Sequence, residues 1–128
     1  MVDITPLIRS DAQVIQSYKG GQFKVSHTVY TKPIIVFPDV TLEWDAASVE
    51  VLSLTDFQPL IDRASEVDVI LVGGGARGIF VSPALRADLK KHGITIDAMD
   101  TGAACRTYNI LMAEGRLVAA ALFPFISA

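Results

Sequence analysis

The chain of 128 residues is 51% apolar and 20% charged, with a formal net charge of −3, a pI of about 5.2 and a mean hydropathy of +0.41. This length suits a single domain, and the composition is too apolar for a disordered protein. Eleven Lys and Arg residues are scattered among fourteen acids. Because nucleic-acid-binding proteins usually carry a basic excess, we expect no nucleic-acid partner.

Cysteine content and the terminal segments restrict the class of protein further. Cys105 is the only cysteine, so no intrachain disulfide can form, and with two isolated histidines it gives no metal-ligand spacing. The segment Met1–Pro6 lacks the basic start and apolar core of a signal peptide. The uncharged stretch Leu117–Ala128 is shorter than the roughly 20 residues that span a bilayer. We therefore expect a cytoplasmic protein with no membrane span and no metal site.

The first forty residues have the pattern of β-structure. Val14–Tyr18 and Phe23–His27 flank the turn Lys19–Gln22, which predicts a β-hairpin. In the second arm apolar and polar residues alternate, as in a half-buried strand that continues through His27. Pro33–Pro38 is a short apolar segment bounded by prolines and predicts a third strand.

A helix signal follows in the middle of the chain. Trp44 is predicted to lie in a polar loop before the segment Val49–Leu52. Thr55 and Gln58 have the spacing of a capping box, in which a Thr side chain and a Gln three residues later satisfy free backbone N–H groups. We expect a short helix from here to about Ala64.

Strands and helices alternate in the C-terminal half. Gly93 and Gly115 are predicted to end two helices, because glycine readily adopts the left-handed conformation found there. The predicted elements are a strand over Val67–Val72, a helix from Ser82 to His92, a strand over Ile94–Ala98, a helix from Asp100 to Glu114 and a strand over Leu117–Phe123. The sequence thus predicts a single α/β domain over residues 1–128, with a mixed central sheet, flanking helices, and an N-terminal β-hairpin followed by a β-α-β-α-β half.

A glycine-rich segment comes directly after the predicted central strand. Gly73–Gly78 matches the pattern G-x-G-x-x-G, and Asp97 lies nineteen residues beyond it. The next helix begins only at Ser82, no second mononucleotide-binding half follows, and the absence of Lys-Ser/Thr excludes a P-loop. Three interpretations stay open: a sharp turn that uses positive φ, an anion or small-ligand site that includes Arg77, and a dinucleotide site. The first is favoured.

The predicted topology suggests where a ligand would bind. The strands Val67–Val72 and Ile94–Ala98 should be parallel neighbours, since a helix connects them. Their carboxyl ends would bring the glycines beside Asp100 and the start of the last helix, where open α/β sheets bind ligands. The candidate residues of this anion-accepting cleft are Gly73, Gly75, Arg77, Asp100 and Arg106.

Cys105 is the remaining candidate for chemistry. It lies near the start of the last helix, where the helix dipole lowers the pKa of a thiol. Catalysis would also need a base, and the sequence brings neither His27 nor His92 near it. We predict a small buried cysteine and no catalytic residue.

The last third of the chain has a pattern typical of one family. An aspartate opens an alanine-rich helix that contains an aromatic-Asn pair, and Glu-Gly-Arg and an Ala-Ala-Leu-x-Pro strand follow. These features lie at Asp100, Tyr108, Asn109, Glu114, Gly115, Arg116 and Pro124. In this pattern the chain resembles a small α/β family that includes a mitochondrial assembly factor of respiratory complex I and bacterial and archaeal single-domain proteins.

The resemblance implies a function other than catalysis. It implies a non-enzymatic accessory or binding protein, in a family whose members share no cofactor. The implied partner is a protein, such as one that takes part in assembling a membrane complex. The apolar residues close to the chain end suggest a surface that covers a partner or, in a homo-oligomer, a second copy. These residues are Phe123, Phe125 and Ile126. The alternative is a small-molecule or anion-binding enzyme that uses the Gly73–Gly78 loop and the N-terminus of the last helix.

Overall fold

Two β-sheets and three α-helices make up the part of the chain that the structure describes. A computed structural model describes residues 12–46 and 51–125. The elements are β1 (Ile15–Ser17), β2 (Phe23–Val25), β3 (Thr28–Tyr30), β4 (Ile34–Val36), β5 (Thr41–Glu43), α1 (Gln58–Ile61), β6 (Val69–Gly73), α2 (Pro83–Lys91), β7 (Ile96–Met99), α3 (Thr101–Ala113) and β8 (Val118–Leu122). Two 3-10 turns, Leu54–Phe57 and Ala64–Glu66, flank α1.

The larger sheet is mixed, as the sequence predicted. Its strand order is β5-β4-β8-β6-β7, and β1-β2-β3 form a separate antiparallel sheet. Strand β6 pairs in parallel with both β7 and β8, whereas β4 runs antiparallel to β8 and β5. The carboxyl ends of β6, β7 and β8 therefore meet at one edge of the sheet.

Strand β8 lies in the centre of this sheet and is buried along its whole length. Its side chains alternate between two cores. Ala119 and Ala121 face a core that contains Trp44, Phe57 and residues of α2. The other three residues of the strand, Val118, Ala120 and Leu122, face α3 and the small sheet. The alanines on β8 leave room for the large side chains of both layers.

The N-terminal hairpin forms but ends earlier than predicted. Strand β2 stops at Val25, and Ser26 and His27 adopt φ of 43° and 75° in a two-residue turn that leads into β3. Such turns require positive φ and usually contain Gly or Asn. Here the Ser26 hydroxyl donates to the Ala12 carbonyl at 2.9 Å and accepts from the Val14 N–H at 3.0 Å. These contacts hold the turn, so the prediction of a strand through His27 was wrong.

The capping box lies two residues before the predicted position. Ser53 is the N-cap, and the Asp56 carboxylate accepts from the Ser53 N–H at 2.8 Å. Trp44 lies in the loop after β5, as predicted, but its side chain is buried there, and its indole N–H donates to the Asp56 carbonyl at 2.6 Å. Of the predicted segment Val49–Leu52, the first two residues lie outside the described residues.

The two longer helices begin and end where the sequence predicts. The Ser82 hydroxyl accepts from the Leu85 N–H at 3.2 Å at the start of α2. At the other end Gly93 has a φ of 80°, and Gly115 has a φ of 79° just after α3. In residues 12–46 and 51–125, no helix is long and apolar enough to cross a membrane.

Candidate functional site

The β6–α2 loop, residues 74–82, leaves the carboxyl edge of the large sheet beside the start of α3. The Gly74 N–H donates to the Met99 carbonyl at 2.9 Å, and the Thr101 N–H donates to the Gly75 carbonyl at 2.8 Å. The buried Thr101 hydroxyl accepts from the Gly75 N–H at 2.8 Å and donates to the Phe123 carbonyl at 2.7 Å. Thr101 thus ties the loop to α3 and to the end of β8.

Close packing explains the first two glycines of the loop segment. A Cβ on Gly73 would lie 2.9 Å from the Thr101 Cα, and one on Gly74 would lie 2.6 Å from the Ile79 Cβ. Gly75 and Gly78 have φ of 94° and 80°, which disfavours any larger residue at either position. The pattern G-x-G-x-x-G therefore has a structural reason that involves no ligand.

The structure brings together three of the five residues predicted to bind an anion. Gly73 and Gly75 lie beside Asp100, whose carboxylate accepts from the Ala103 N–H at 2.8 Å as the N-cap of α3. Arg106 instead donates to the Tyr18 hydroxyl at 2.7 Å. Arg77 is exposed and makes no hydrogen bond or ion pair to the described part of the chain. Because the Gly74 and Gly75 amides already have acceptors, fewer donors are left for an anion.

Cys105 is buried, in agreement with the sequence prediction. Burial raises the pKa of its thiol to about 12, an effect that outweighs the nearby Arg106. The thiolate is therefore scarce at neutral pH, which disfavours a nucleophilic role. Within the described ranges, no three His, Cys, Asp or Glu side chains are grouped to hold a metal ion.

Phe80 is the surface feature of the loop that the sequence prediction missed. Its side chain is 82% exposed, whereas Val81 beside it is buried and Ile79 packs against the core. The sequence did carry a signal, the apolar triplet Ile79–Val81. Because alternate residues of an extended segment point to opposite sides, Phe80 is exposed when its two neighbours face the core. The loop therefore presents an aromatic ring to solvent, three residues after the exposed Arg77.

Comparison with known families decides where this chain belongs. The family described as "Protein of unknown function (DUF498/DUF598)" matches residues 15–123. The chain belongs to the DUF498 family. The match includes the β6–α2 loop, Thr101 and all of α3.

Several relatives of this DUF498 chain carry the name of an assembly factor. NADH dehydrogenase [ubiquinone] 1 alpha subcomplex assembly factor 3 of Danio rerio is 33% identical over 90% of this chain and 66% of its own length. The Xenopus tropicalis protein of the same name is 28% identical, over 94% of this chain and 67% of its own. The chain thus spans about two thirds of the length of these two relatives. An uncharacterised Rhodobacter capsulatus protein is 30% identical over 86% of this chain and 83% of its own.

Solved structures show the same fold. A Bordetella parapertussis protein superposes with a TM-score of 0.81 at 33% identity, covering 90% of this chain and 98% of that one. A Bartonella henselae protein described as an outer membrane protein gives a TM-score of 0.81 at 31% identity, covering 89% and 96%. A Bordetella pertussis protein described as a Mth938-like domain gives 0.76 at 28% identity, covering 91% and 88%.

The aromatic-Asn pair of the DUF498 chain holds α3 against the small sheet. The Asn109 amide donates to the Ile15 carbonyl at 2.8 Å, and its oxygen accepts from the Ile15 N–H at 3.0 Å. The Tyr108 hydroxyl donates to the Gln13 carbonyl at 2.7 Å, and burial raises its pKa. These two residues are explained by the fold, whereas the exposed Phe80 of the β6–α2 loop makes that loop a candidate contact surface.

Proposed function

We propose that this chain is a non-enzymatic, protein-binding accessory domain that acts in the assembly of a membrane-bound complex of the respiratory complex I type. The names of its relatives support the setting. The observation that supports protein binding is the exposed Phe80 on the β6–α2 loop. We include a cytoplasmic location in the proposal.

The loop has the properties of a protein contact point. Aromatic residues and arginine are enriched at the centres of protein interfaces, and both Arg77 and Phe80 of the loop are exposed. Burying an exposed Phe ring contributes roughly 2–3 kcal/mol. The hydrogen bonds of Gly74, Gly75 and Thr101 fix the base of the loop beside the start of α3.

Complementation of a gene deletion tests the proposal. Deletion in the host should lower the amount of assembled complex I on native gels, and the wild-type chain should restore it. Phe80→Ala should fail to restore it, although its melting temperature stays unchanged because the ring is exposed. Val29→Ala, which removes another exposed apolar side chain (54%) from β3, is the matched control. Normal assembly without the gene, or full restoration by Phe80→Ala, would contradict the proposal.

The alternative of an anion-binding enzyme makes a different prediction. Titration with phosphate, nucleotides or small carboxylates should shift the amide signals of residues 73–78 and 100–106 together. Arg77→Ala should weaken that binding by about 1–3 kcal/mol, the cost of a lost charged hydrogen bond. No shift at millimolar concentrations would remove this alternative and leave the protein-binding proposal in place.

A further inference from the structure

A cavity lies at the opposite end of the large sheet from the β6–α2 loop. It has a volume of about 430 Å³, within the range of ligand-binding clefts. It opens where β4 ends and where β6 and β8 begin, because β4 runs antiparallel to β8. Its walls are formed by Phe37, Pro38, Asp39, Arg63, Ser65, Glu66, Val67 and Leu117.

Arg63 is held in a fixed position in the cavity wall. Its guanidinium carbon lies 4.0 Å from the centre of the Phe37 ring, a cation–π contact. Its Nη2 donates to both Asp39 carboxylate oxygens at 2.9 and 3.1 Å and to Glu66 at 3.3 Å, while Nε donates to Glu66 at 3.4 Å. One face and one edge of the guanidinium are therefore occupied.

The other edge of the guanidinium has no acceptor. Nη1 makes no hydrogen bond to the described part of the chain. In that part no buried side-chain nitrogen or oxygen lacks a partner, so Nη1 is accessible to solvent. A fixed guanidinium with two free N–H groups at the wall of a cavity can bind an acceptor with little loss of entropy.

The charges of the cavity wall restrict that acceptor. Asp39 and Glu66 carry two negative charges and Arg63 one positive charge, so the charged lining has a net charge of −1. An anion would be repelled by the two carboxylates, whereas an uncharged carbonyl oxygen can accept from Nη1 without that repulsion. Beside these groups Val67 and Leu117 form an apolar wall, and Leu117 is 49% exposed.

We infer that this cavity binds an uncharged peptide segment of a partner protein, with a main-chain carbonyl accepting from Arg63 Nη1 and an apolar side chain packed on Val67 and Leu117. This site is separate from the β6–α2 loop and does not depend on the function proposed for Phe80.

Titration with a small neutral probe tests the inference. N-acetyl-leucine methylamide carries two amide carbonyls and one apolar side chain, and N-acetyl-leucine carries the same side chain with a carboxylate. We expect saturable amide shifts at residues 37–39, 63–67 and 117 with the methylamide, and at least threefold weaker binding of the carboxylate. Absence of saturable shifts, or equal binding of both probes, would overturn the inference.

Two variants separate the carbonyl contact from the apolar contact. Arg63→Lys keeps the charge but loses the planar group, and binding should weaken about tenfold, as expected for a lost charged hydrogen bond. Leu117→Ala should weaken binding about threefold to tenfold, because part of the apolar wall is removed. Ile110→Ala removes a comparable exposed side chain (60%) from α3 and should change nothing. If Arg63→Lys does not fold, Leu117→Ala decides, and unchanged binding in that variant would overturn the inference.

Discussion

Thr101 is the residue on which the geometry of the β6–α2 loop most depends. Its buried hydroxyl joins the Gly75 N–H to the Phe123 carbonyl. Thr101→Val keeps the shape but leaves both groups without this partner, so we expect a loss of about 2–4 kcal/mol in the free energy of unfolding. Urea unfolding measures this loss. Thr101→Ser, which keeps the hydroxyl, should lose less, and unchanged stability of Thr101→Val would contradict this role of the hydroxyl.

Cys105 should be chemically silent in the folded protein. Because burial raises the pKa of its thiol from 9.0 to about 12, the native protein keeps the proton at pH 9–11 while the unfolded chain releases it. Native stability should therefore fall as the pH rises through this range. Thiol-specific reagents at pH 8 should react only after unfolding. Cys105→Ala should show a smaller fall in stability with pH, and rapid labelling of the native protein would contradict the assignment.

Helix α3 and strand β1 are joined by side-chain contacts, of which the two Asn109 hydrogen bonds to Ile15 are central. Asn109→Ala should loosen the small sheet, with a cost of about 1–3 kcal/mol. Native-state hydrogen exchange should become faster at residues 15–30, while β6 and β8 stay protected. Thr107→Ala on the same helix is the control, since its side chain makes no hydrogen bond to the described residues. Equal acceleration in both sheets would contradict this prediction.

The sequence predicted those elements whose signals are local. Strands β6 and β8 are apolar runs, and α2 and α3 have both a cap and a terminal glycine. Strands β3 and β5 were missed, because they are largely exposed and carry no apolar run. Two overlapping capping frames are possible in this segment, one formed by Ser53 with Asp56 and the other by Thr55 with Gln58. Burial of the Trp44 ring against Phe57 and Phe123 accompanies the first frame. Only tertiary packing distinguishes the two frames.

The apolar residues near the end of the chain also show that the sequence alone does not distinguish a buried side chain from an interface. Phe123 was predicted to lie at a partner surface but is buried, with its ring 4.8 Å from Trp44. Phe125 is half-buried, with its ring centre 6.4 Å from that of Tyr18. The apolar residues suggested an interface, but at Phe123 the Trp44 ring occupies that surface. Ile126 lies outside the described residues, and oligomerisation through Phe125 and Ile126 stays a prediction.

At the scale of the whole molecule, the two candidate contact sites lie at opposite ends of the same strands. The position of the β6–α2 loop could be predicted, because consecutive parallel strands place their carboxyl ends together. The Arg63 cavity could not, since Asp39, Arg63 and Leu117 are distant in sequence and meet only through the strand order β4-β8-β6. Long-range pairings of this kind leave no local pattern in the sequence.

The central position of β8 has a consequence for how the protein is made. Translation proceeds from the N-terminus, so β5-β4 and β6-β7 leave the ribosome before the strand that joins them. Until residues 118–122 emerge, both half-sheets carry an unpaired apolar edge, the kind of edge that associates with other chains. A nascent or prematurely terminated chain should therefore need a chaperone more than the finished protein does.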